Sequence, residues 1–489
     1  MKYDVIIIGG GLGGLECGYI LSKKGYNVCI LEQNAQLGGC LQTFKRGDTI
    51  FDTGFHYVGG LDEGQFLNRL FSYFDLMDLP WHRMDENGFA EVVINDNSYM
   101  FASGYERFVD TLAEKFQRQH KQLANYAGFL KQVGDNIGKS FSNDENPNSE
   151  MFEQSAYSFL QQTIDDPFLR NVISGASLTM ELCAEKLPLY VFAQINSSFI
   201  QSAWRLKGGG SLIADRLAEN IRKMGGTILT KARVTNLTEE NGKITSIEFN
   251  HTEQIQGKYI ISNLHPALTL SLISESKLIR KIYRNRVSRL PNTYGMFTVH
   301  LKLKDNSINY LNRNIFIHKN NNLWDSEYYS GQKTSSVLIN YQVPENNSIY
   351  AKNIDILTPM HWNEVEKWAD TTIEKRGDDY KEFKARKAEE CILLASEKIP
   401  VLKASVENFY TSTPLTYRDY TGTQNGAAYG IRKDYNDIMM TLLTPQTPIP
   451  NLLLTGQNLN LHGILGVSMT SFFTCAKIVG MENLAKELL

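Results

Sequence analysis

The chain has 489 residues, which is enough for two or three domains with a sizeable core. Hydrophobic residues make up 42% of it and charged residues 21%, which excludes wholesale disorder. Its 50 basic and 53 acidic side chains leave a formal net charge of −3. This argues against nucleic-acid binding, because a protein needs an excess of basic residues to displace the counterions of the phosphates. No signal-peptide pattern, no apolar run of about 18–20 residues and no disulfide framework are present, so we expect a cytoplasmic protein.

The N-terminal segment has the pattern of a parallel α/β unit. An apolar run at residues 3–8 predicts a strand buried on both faces. Apolar residues at helical spacing from Leu12 predict a helix that ends at Gly25. Residues 26–31 predict a second buried strand. A strand, a helix and a strand in this order indicate a parallel sheet.

The rest of the chain predicts further strands and helices separated by polar stretches. The Asn241-Gly242 pair between two β-rich runs indicates a hairpin turn, and charges at helical spacing indicate a solvated helix. In chain order, the predicted elements are an exposed loop at 135–150, a β-hairpin at 228–237 and 244–249, a strand at 259–261, a surface loop with an edge strand at 319–348, a solvated helix face at 361–398, a strand at 452–454 and an apolar helix from about residue 467 to the end.

A glycine cluster at residues 9–14 joins the first strand to the first helix. Gly9 permits a tight turn, Gly11 lets a pyrophosphate approach the backbone, and Gly14 lets the helix pack on the sheet. The helix start at Leu12 offers free N–H groups and a positive dipole end to phosphates. Glu32 ends the second strand, about 20 residues on, where a ribose-binding carboxylate is expected. Together these features predict a dinucleotide-binding site.

The Gly38-Gly39 pair, which follows Glu32 closely, resembles the second glycine motif of the two-dinucleotide-binding-domain flavoproteins. The C-terminal segment around Gly456 resembles their last FAD segment, and the strand around Val234 resembles the one that meets the adenine. One departure is the Gln457-Asn458 pair where many relatives have an acid, although an amide can still bond a ribitol hydroxyl. The resemblance implies FAD as cofactor, held by Gly9, Gly11, Leu12, Gly14, Glu32, Gln33, Gly38, Gly39, Val234, Gly456, Gln457, Gly466 and Val467.

A narrower resemblance covers essentially the whole chain. Residues 51–60 resemble the segment after the second glycine motif in phytoene-desaturase-like proteins, and their His-Tyr-Val-Gly core is closest to the retinol saturase and carotenoid isomerase branch. Residues 204–212, 413–416 and 426–430 are similar to later motifs of the same family. The resemblance implies an α/β fold in which a Rossmann-like FAD-binding domain (1–75, 205–265 and 420–489) carries an inserted α+β substrate-binding domain (76–204 and 266–419).

The same resemblance implies an FAD-dependent oxidoreductase that acts on C=C bonds of a hydrophobic isoprenoid or polyene, by desaturation, saturation or isomerisation. NAD(P) can serve as its electron partner. A flavin amine oxidase-like enzyme, with an aromatic cage for an amine, is the first alternative, and a flavin-binding relative without turnover is the second. Because a polyene resides in lipid, we expect contact with a membrane surface without a spanning helix. The oligomeric state is not indicated.

Candidate catalytic residues follow from the same resemblance. His56 and Tyr57 follow the flavin-side loop, and His462 precedes the last flavin segment. Either histidine could move the proton that accompanies hydride transfer across a C=C bond, or could instead bond loop backbone. The glycines at 54, 59 and 60 predict a tight loop pressed against the cofactor. His361 and Glu364 have a spacing that a metal site could use, but one pair is insufficient, so we predict no metal.

Aromatic residues are plentiful between the cofactor segments, and we expect most of them in the core and a minority along an apolar substrate tunnel. They are Phe66, Phe71, Tyr73, Phe74, Trp81, Tyr190, Phe192, Phe199 and Trp204.

Overall fold

The computed structural model describes residues 2–141, 148–325 and 333–488. The strands are β1 (Lys2–Ile8), β2 (Val28–Leu31), β3 (Thr43–Arg46), β4 (Thr49–Asp52), β5 (Val58–Gly59), β6 (Trp81–Arg83), β7 (Ala90–Ile94), β8 (Asn97–Phe101), β9 (Ala203–Leu206), β10 (Thr227–Leu229), β11 (Val234–Glu240), β12 (Lys243–Phe249), β13 (Glu253–Ser262), β14 (Gly295–Leu303), β15 (Asn314–His318), β16 (Ser336–Tyr341), β17 (Asn353–Met360), β18 (Val406–Ser412) and β19 (Leu452–Leu454).

The helices are α1 (Leu12–Lys23), α2 (Phe66–Tyr73), α3 (Tyr105–Ala113), α4 (His120–Asp135), α5 (Ala156–Thr163), α6 (Pro167–Ser174), α7 (Leu189–Gln201), α8 (Ser211–Lys223), α9 (Pro266–Ser271), α10 (Lys281–Ser288), α11 (Asp378–Ser396), α12 (Leu402–Ser405), α13 (Pro414–Thr421), α14 (Ile438–Thr441), α15 (Gly463–Val479) and α16 (Met481–Leu488). Within the described ranges, no helix is long and apolar enough to cross a membrane.

The first sheet has the strand order β10-β2-β1-β13-β12-β11, with β19 pairing to β13 on the other side. Strands β10, β2, β1, β13 and β19 run parallel, whereas β11 and β12 form an antiparallel extension. Helices α1, α8 and α15 pack on one face of this sheet through Leu15, Ile213 and Phe472. This confirms the parallel sheet that the first strand, helix and strand predict, in the Rossmann-like arrangement that the resemblance implies.

The second sheet has the order β18-β14-β17-β16-β15-β7-β8 and is mixed, because β7 and β15 are parallel while the other pairs are antiparallel. One of its faces packs against α11, where Ala388 and Cys391 are buried, and the other packs against the helices around α7. A smaller sheet, β5-β9-β6, joins residues 58–59 to residues 203–206. The α/β fold with a second, α+β unit is therefore confirmed, whereas the domain boundaries at the predicted residues stay a prediction.

Two predicted elements are wrong in part. The predicted hairpin strand 228–237 is two strands: β10 pairs in parallel with β2, and only β11 pairs with β12, because the chain turns between them where Lys231 has a φ of 54°. The predicted edge strand within 319–348 is β16, which lies between β15 and β17 with all six residues buried. Its apolar core, Val337 to Ile339, overrides the polar composition around it.

Other predicted elements agree more closely or lie partly outside the described residues. The charged stretch 361–398 contains two short 3₁₀ turns and then α11, and the C-terminal apolar helix is α15 followed by α16. The predicted loop at 135–150 begins with a 3₁₀ turn at Ile137–Phe141, and its residues 142–147 lie outside the described residues, as do residues 326–332 of the second loop.

Candidate functional site

A cavity of about 980 Å³ lies between the two large sheets. One end follows the carboxyl ends of β1, β2, β13 and β19, which are adjacent in the first sheet. The other end is walled by β14, β16 and β17 of the second sheet and by α7. Ligands of open α/β sheets bind at the carboxyl ends of such parallel strands, so the fold itself places a binding site here.

The first glycine cluster forms the turn from β1 into α1. Gly9 has a φ of 97° and its N–H donates to the carbonyl of Leu31 at 2.8 Å. Gly11 caps α1 and faces the cavity, so the unpaired N–H groups of the first helical turn open toward a ligand. Gly14 is outside the cavity lining, and a Cβ there would be 2.0 Å from the carbonyl oxygen of Gly9, so α1 can pack this closely on the turn only with a glycine. Gly9 thus forms the tight turn and Gly14 the close packing that their spacing predicts, whereas contact of Gly11 with a pyrophosphate stays a prediction.

The second glycine motif packs directly on the first. The Gly38 N–H donates to the carbonyl of Gly10 at 2.8 Å, and Gly38 and Gly39 have φ values of 107° and 57°. A Cβ on Gly39 would be 3.3 Å from the Cα of Gly11, so the two turns approach closely at Gly39. Gly11, Gly38 and Gly39 all line the cavity. A larger residue here would fill the space between the two turns.

Glu32 is held by backbone donors at the end of β2. The Gly10 N–H donates to Oε2 at 2.8 Å, and the Asn34 N–H donates to Oε1 at 2.7 Å. Burial raises the pKa of Glu32, and these N–H donors act in the opposite direction. Each carboxylate oxygen keeps acceptor capacity, and the side chain lines the cavity, so it can bind ribose hydroxyls.

The remaining predicted cofactor residues come from distant parts of the chain and meet at the same cavity. Those that line it are Leu12, Gln33, Val234, Gly456, Gln457, Gly466 and Val467. Asn458 fixes the turn after Gly456, since its Oδ1 accepts the Ile431 N–H at 3.2 Å and its carbonyl accepts Lys433 Nζ at 2.8 Å. These positions fit a dinucleotide stretched from Glu32 past the glycine turns to the start of α15.

Asn263 is a cavity residue that the sequence reasoning missed. It follows β13, and its amide oxygen would lie only 2.8 Å from a Cβ on Gly13 and 2.4 Å from one on Gly456. Asn263 thus bridges the first glycine cluster and the C-terminal segment. A signal for it existed, because the residue after a parallel strand beside β1 belongs at the ligand-binding edge of the sheet.

His56 and Tyr57 line the cavity where it meets the second sheet. Burial lowers the pKa of His56 to about 4, so its imidazole is neutral at pH 7, and its Nδ1 has no hydrogen-bond partner within the described residues. Tyr57 is stacked on Phe199 with 4.3 Å between ring centroids, and burial raises the pKa of its hydroxyl. His56 can therefore accept a proton in the cavity, whereas Tyr57 stays protonated.

His462 is constrained more tightly than His56. Its Nε2–H donates to the carbonyl of Thr179 at 3.0 Å, and its ring packs on Tyr429 with 4.6 Å between centroids. Burial lowers its pKa to about 4 as well. The bond to Thr179 fixes the tautomer and leaves Nδ1 as the acceptor. Backbone bonding, the alternative role for both histidines, is thus seen for His462.

The glycines around His56 serve packing between chain segments. A Cβ on Gly59 would be 2.2 Å from the carbonyl oxygen of Ser198 in α7, and one on Gly54 would be 3.0 Å from that of Cys40. Gly60 has a φ of 78°. Gly54 and Gly59 also line the cavity, so the expectation that this loop is pressed against the cofactor stays a prediction.

A group of buried ionisable side chains acts on His56 electrostatically. His300 Nδ1 and Asp355 Oδ1 are 2.7 Å apart, and both residues are almost completely buried. Asp355 favours a charged His56, whereas His300 and the buried Arg205 oppose it. Burial raises the pKa of Asp52 to about 8, and Asp355 acts in the same direction. The pKa of His56 is thus set first by burial and then by the charges of Asp355, His300 and Arg205.

The cavity end near the second sheet is apolar. Its walls are Tyr57, Leu178, Ile195, Phe199, Met296, Leu338, Leu357, Tyr417, Tyr429 and Leu461. The described lining residues of the whole cavity include two carboxylates, Glu32 at the dinucleotide end and Asp419, which is ion-paired with Arg376 and Arg418. Of the nine aromatic residues singled out from the sequence, Phe199 lines the cavity, and the others are outside its lining.

No group of three or more potential metal ligands occurs in the described parts of the chain. His361 and Glu364 instead form a reciprocal cap on a short 3₁₀ turn.

Comparison with known proteins identifies the class. A family model described as "Flavin containing amine oxidoreductase" matches residues 12–341. The chain belongs to this family, which implies a flavin cofactor and agrees with the dinucleotide geometry of the cavity.

Within that class the chain is similar over almost its whole length to all-trans-retinol 13,14-reductase of Danio rerio, at 24% identity over 530 residues (99% of this chain and 87% of the relative). It is 22% identical over 527 residues to the "inactive all-trans-retinol 13,14-reductase" of Danio rerio (97% and 85%). It is also 22% identical over 316 residues to a 4,4'-diapophytoene desaturase of Methylomonas sp. (61% of each chain). The resemblance to the phytoene desaturase and retinol saturase group is confirmed.

Solved structures show the same fold. An oxidoreductase from Methanosarcina mazei superposes with a TM-score of 0.63 at 16% identity, covering 96% of this chain and 99% of the other. Cyclohexylamine oxidase from Brevibacterium oxydans superposes with a TM-score of 0.63 at 14% identity, covering both chains completely. At these identities the likeness establishes the fold alone.

Proposed function

We propose that the protein is an FAD-dependent oxidoreductase that acts on the C=C bonds of a hydrophobic, conjugated isoprenoid such as a retinoid or carotenoid. The observation that carries the proposal is the apolar end of the cavity, walled by α7 and the second sheet and continuous with the dinucleotide end. The similarity to proteins named as a retinol reductase and a carotenoid desaturase supports the same substrate class.

In such a reaction the chain's own residues bind the polyene, exclude water and take up a proton. The apolar wall binds the polyene and excludes water, because flat conjugated chains pack well on rings such as Tyr57 and Phe199. Bound flavin supplies hydride transfer with the substrate. Desaturation removes a hydride and a proton from the substrate, and His56, neutral at pH 7 and lining the cavity, is positioned to accept that proton. In saturation the same transfer runs in reverse, from the protonated imidazole to the substrate.

The first alternative, a flavin amine oxidase-like enzyme, has the same fold. Tyr417 and Tyr429 both line the cavity and supply aromatic faces that an amine could use. The apolar end of the cavity, however, offers no free carboxylate for a cation among its described lining residues. This favours an uncharged substrate.

The experiment uses FAD-loaded protein under anaerobic conditions. Reduced protein is mixed with all-trans-retinol or a conjugated carotene, and oxidised protein is mixed separately with a partly saturated isoprenoid such as phytoene. We expect the flavin spectrum to change in one of these two arms, with the matching saturated or desaturated product on chromatography. Isomerisation would instead give a cis–trans product without net flavin change.

Amines serve as the contrasting substrates. Cyclohexylamine or benzylamine should leave the oxidised flavin unchanged, and reduction by either would support the amine oxidase alternative and contradict the proposal. Failure of every polyene and every amine to react would favour a flavin-binding relative without turnover. NAD(P)H is tested as reductant in the same assay, since its role as electron partner stays a prediction.

The substrate class also implies where the protein works. A polyene partitions into lipid, so an enzyme that acts on one must reach it in or at a bilayer. We therefore propose that the protein contacts a membrane surface peripherally, through side chains at its own surface.

A further inference from the structure

The segment from Lys277 to Arg289 differs in charge from the rest of the molecule. It contains six basic residues and no acidic ones, whereas the whole chain has a formal net charge of −3. Its basic residues are Lys277, Arg280, Lys281, Arg284, Arg286 and Arg289. Within the part of the chain that the structure describes, none of the six belongs to an ion pair. Such a concentration of unpaired cations on a chain of net negative charge favours an anionic partner.

The inner side of this segment is firmly attached to the protein. In α10, Val287 is 1% exposed and Tyr283 is partly buried, and both pack on the cluster that contains Ile273 and Ile279. Arg284 donates to the carbonyls of Leu270 and Ile273, the latter at 2.8 Å. The helix is therefore fixed on α9, whose residue Leu268 lines the cavity.

The outer side presents an apolar residue between cations. Ile282 is 79% exposed and Leu278 is 38% exposed. Lys281 and Arg286 are exposed beside Ile282, and Arg286 lies one helical turn from it. The acidic residue nearest in the sequence is Glu275. Leu278 also approaches Gly242 in the β11–β12 turn, which Glu239 and Glu240 precede. Lys281 and Arg286 therefore have no acidic residue on their own helix, α10.

We propose that the basic face, defined as residues 277–289 with Ile282 at its centre, docks on an anionic phospholipid surface. Lipid phosphates would meet Lys281 and Arg286, and Ile282 would enter the boundary between headgroups and acyl chains. The exposed isoleucine favours lipid over a nucleic acid, since a phosphate backbone alone gives it no apolar partner. The inference rests on the proposed function, because a substrate dissolved in lipid is the reason for membrane contact. Docking itself can be measured without any substrate.

The test is flotation of the FAD-loaded protein with vesicles of phosphatidylcholine, with and without phosphatidylserine. We expect flotation with the anionic vesicles at low salt, and its loss at high salt or with phosphatidylcholine alone. Each basic side chain near such a surface strengthens binding about fivefold. Lys281→Glu/Arg286→Glu should therefore weaken binding on the order of 10²–10³-fold. Arg284 is left in place because it holds α10 on α9.

Matched controls separate the effect of the basic face on vesicle binding from the effects of total charge and of exposed apolar side chains elsewhere. Lys115→Glu/Lys121→Glu makes the same charge change at exposed residues near α3 and α4, and should bind vesicles like the wild type. Ile282→Asp should weaken binding, whereas Ile349→Asp, at another isoleucine that is 70% exposed, should not.

Several outcomes would overturn the inference: no flotation of the wild type with anionic vesicles, equal flotation with neutral vesicles, equal loss in the control variants, or capture of an oligonucleotide in place of vesicles. Turnover on detergent-dissolved polyene keeps the two proposals apart. Wild-type flotation without turnover would contradict the proposed function alone, and turnover without flotation would contradict the docking face alone.

Discussion

Gly11→Val should remove bound FAD while the fold persists. Gly11 has φ −75° and ψ 178°, a conformation that valine adopts readily. A Cβ there would be 3.0 Å from the movable amide nitrogen of Asn263 and 4.0 Å from the Cα of Gly39, which is an ordinary contact. The added side chain would, however, occupy the space where the pyrophosphate meets the first turn of α1. Loss of two charge-assisted hydrogen bonds, each worth about 1.5–3 kcal/mol, weakens FAD binding on the order of 10²–10⁴-fold.

The measurement is the ratio of FAD to protein after purification, with circular dichroism to confirm the fold. Gly128→Val is the matched control, because a Cβ at Gly128 in α4 has no atom within 4 Å, and this variant should keep its FAD. Gly11→Ala should give an intermediate loss. If Gly11→Val kept a full equivalent of FAD, the phosphates would have to lie elsewhere.

His56→Asn should retain FAD and lose turnover by about 10²–10⁴-fold, the usual range for one acid–base group. His56 lines the cavity, its Nδ1 lacks a partner among the described residues, and burial lowers its pKa to about 4. Its basic form therefore persists at neutral pH, and protonation removes it only as the pH falls toward 4. For desaturation, in which His56 accepts the proton, we expect the single-turnover rate to stay level between about pH 7.5 and 6, where an ordinary histidine would titrate.

The decisive comparison measures bound FAD and single-turnover flavin kinetics in the same preparation. His251→Asn, at an exposed turn, serves as a control with unchanged rate. Loss of FAD together with activity would indicate a structural role for His56. Full FAD content with an unchanged rate would leave His56 without a catalytic task, and His462→Asn would then be the next variant to measure.

The cofactor end of the cavity could be predicted because its signals are local. The glycine turns and Glu32 follow strands whose apolar runs are visible in the sequence, and parallel strands bring their carboxyl ends to one edge. Asn263 could have been found by the same rule. The turn at Lys231, which separates β10 from β11, could not be predicted. Its φ is positive, and lysine is not a residue type that favours such a conformation.

The substrate end could not be predicted in the same way. Met296, Leu338 and Leu357 come together only because β14, β17 and β16 are neighbours in the second sheet, and that order depends on long-range pairing. The low pKa of His56 likewise depends on burial and on Asp355, His300 and Arg205, which are distant in sequence. A short motif such as His-Tyr-Val-Gly identifies a resemblance but carries no information about these surroundings.

Cofactor release tests the central claim most directly, because the cavity, the glycine turns and the family all imply a bound flavin. The protein should purify yellow, and acid precipitation followed by chromatography of the supernatant should release intact FAD at about one equivalent per chain. Because no covalent attachment is expected, the precipitate should be colourless. Release of NADP in place of FAD, or of no dinucleotide from protein refolded or expressed with excess FAD, would contradict it.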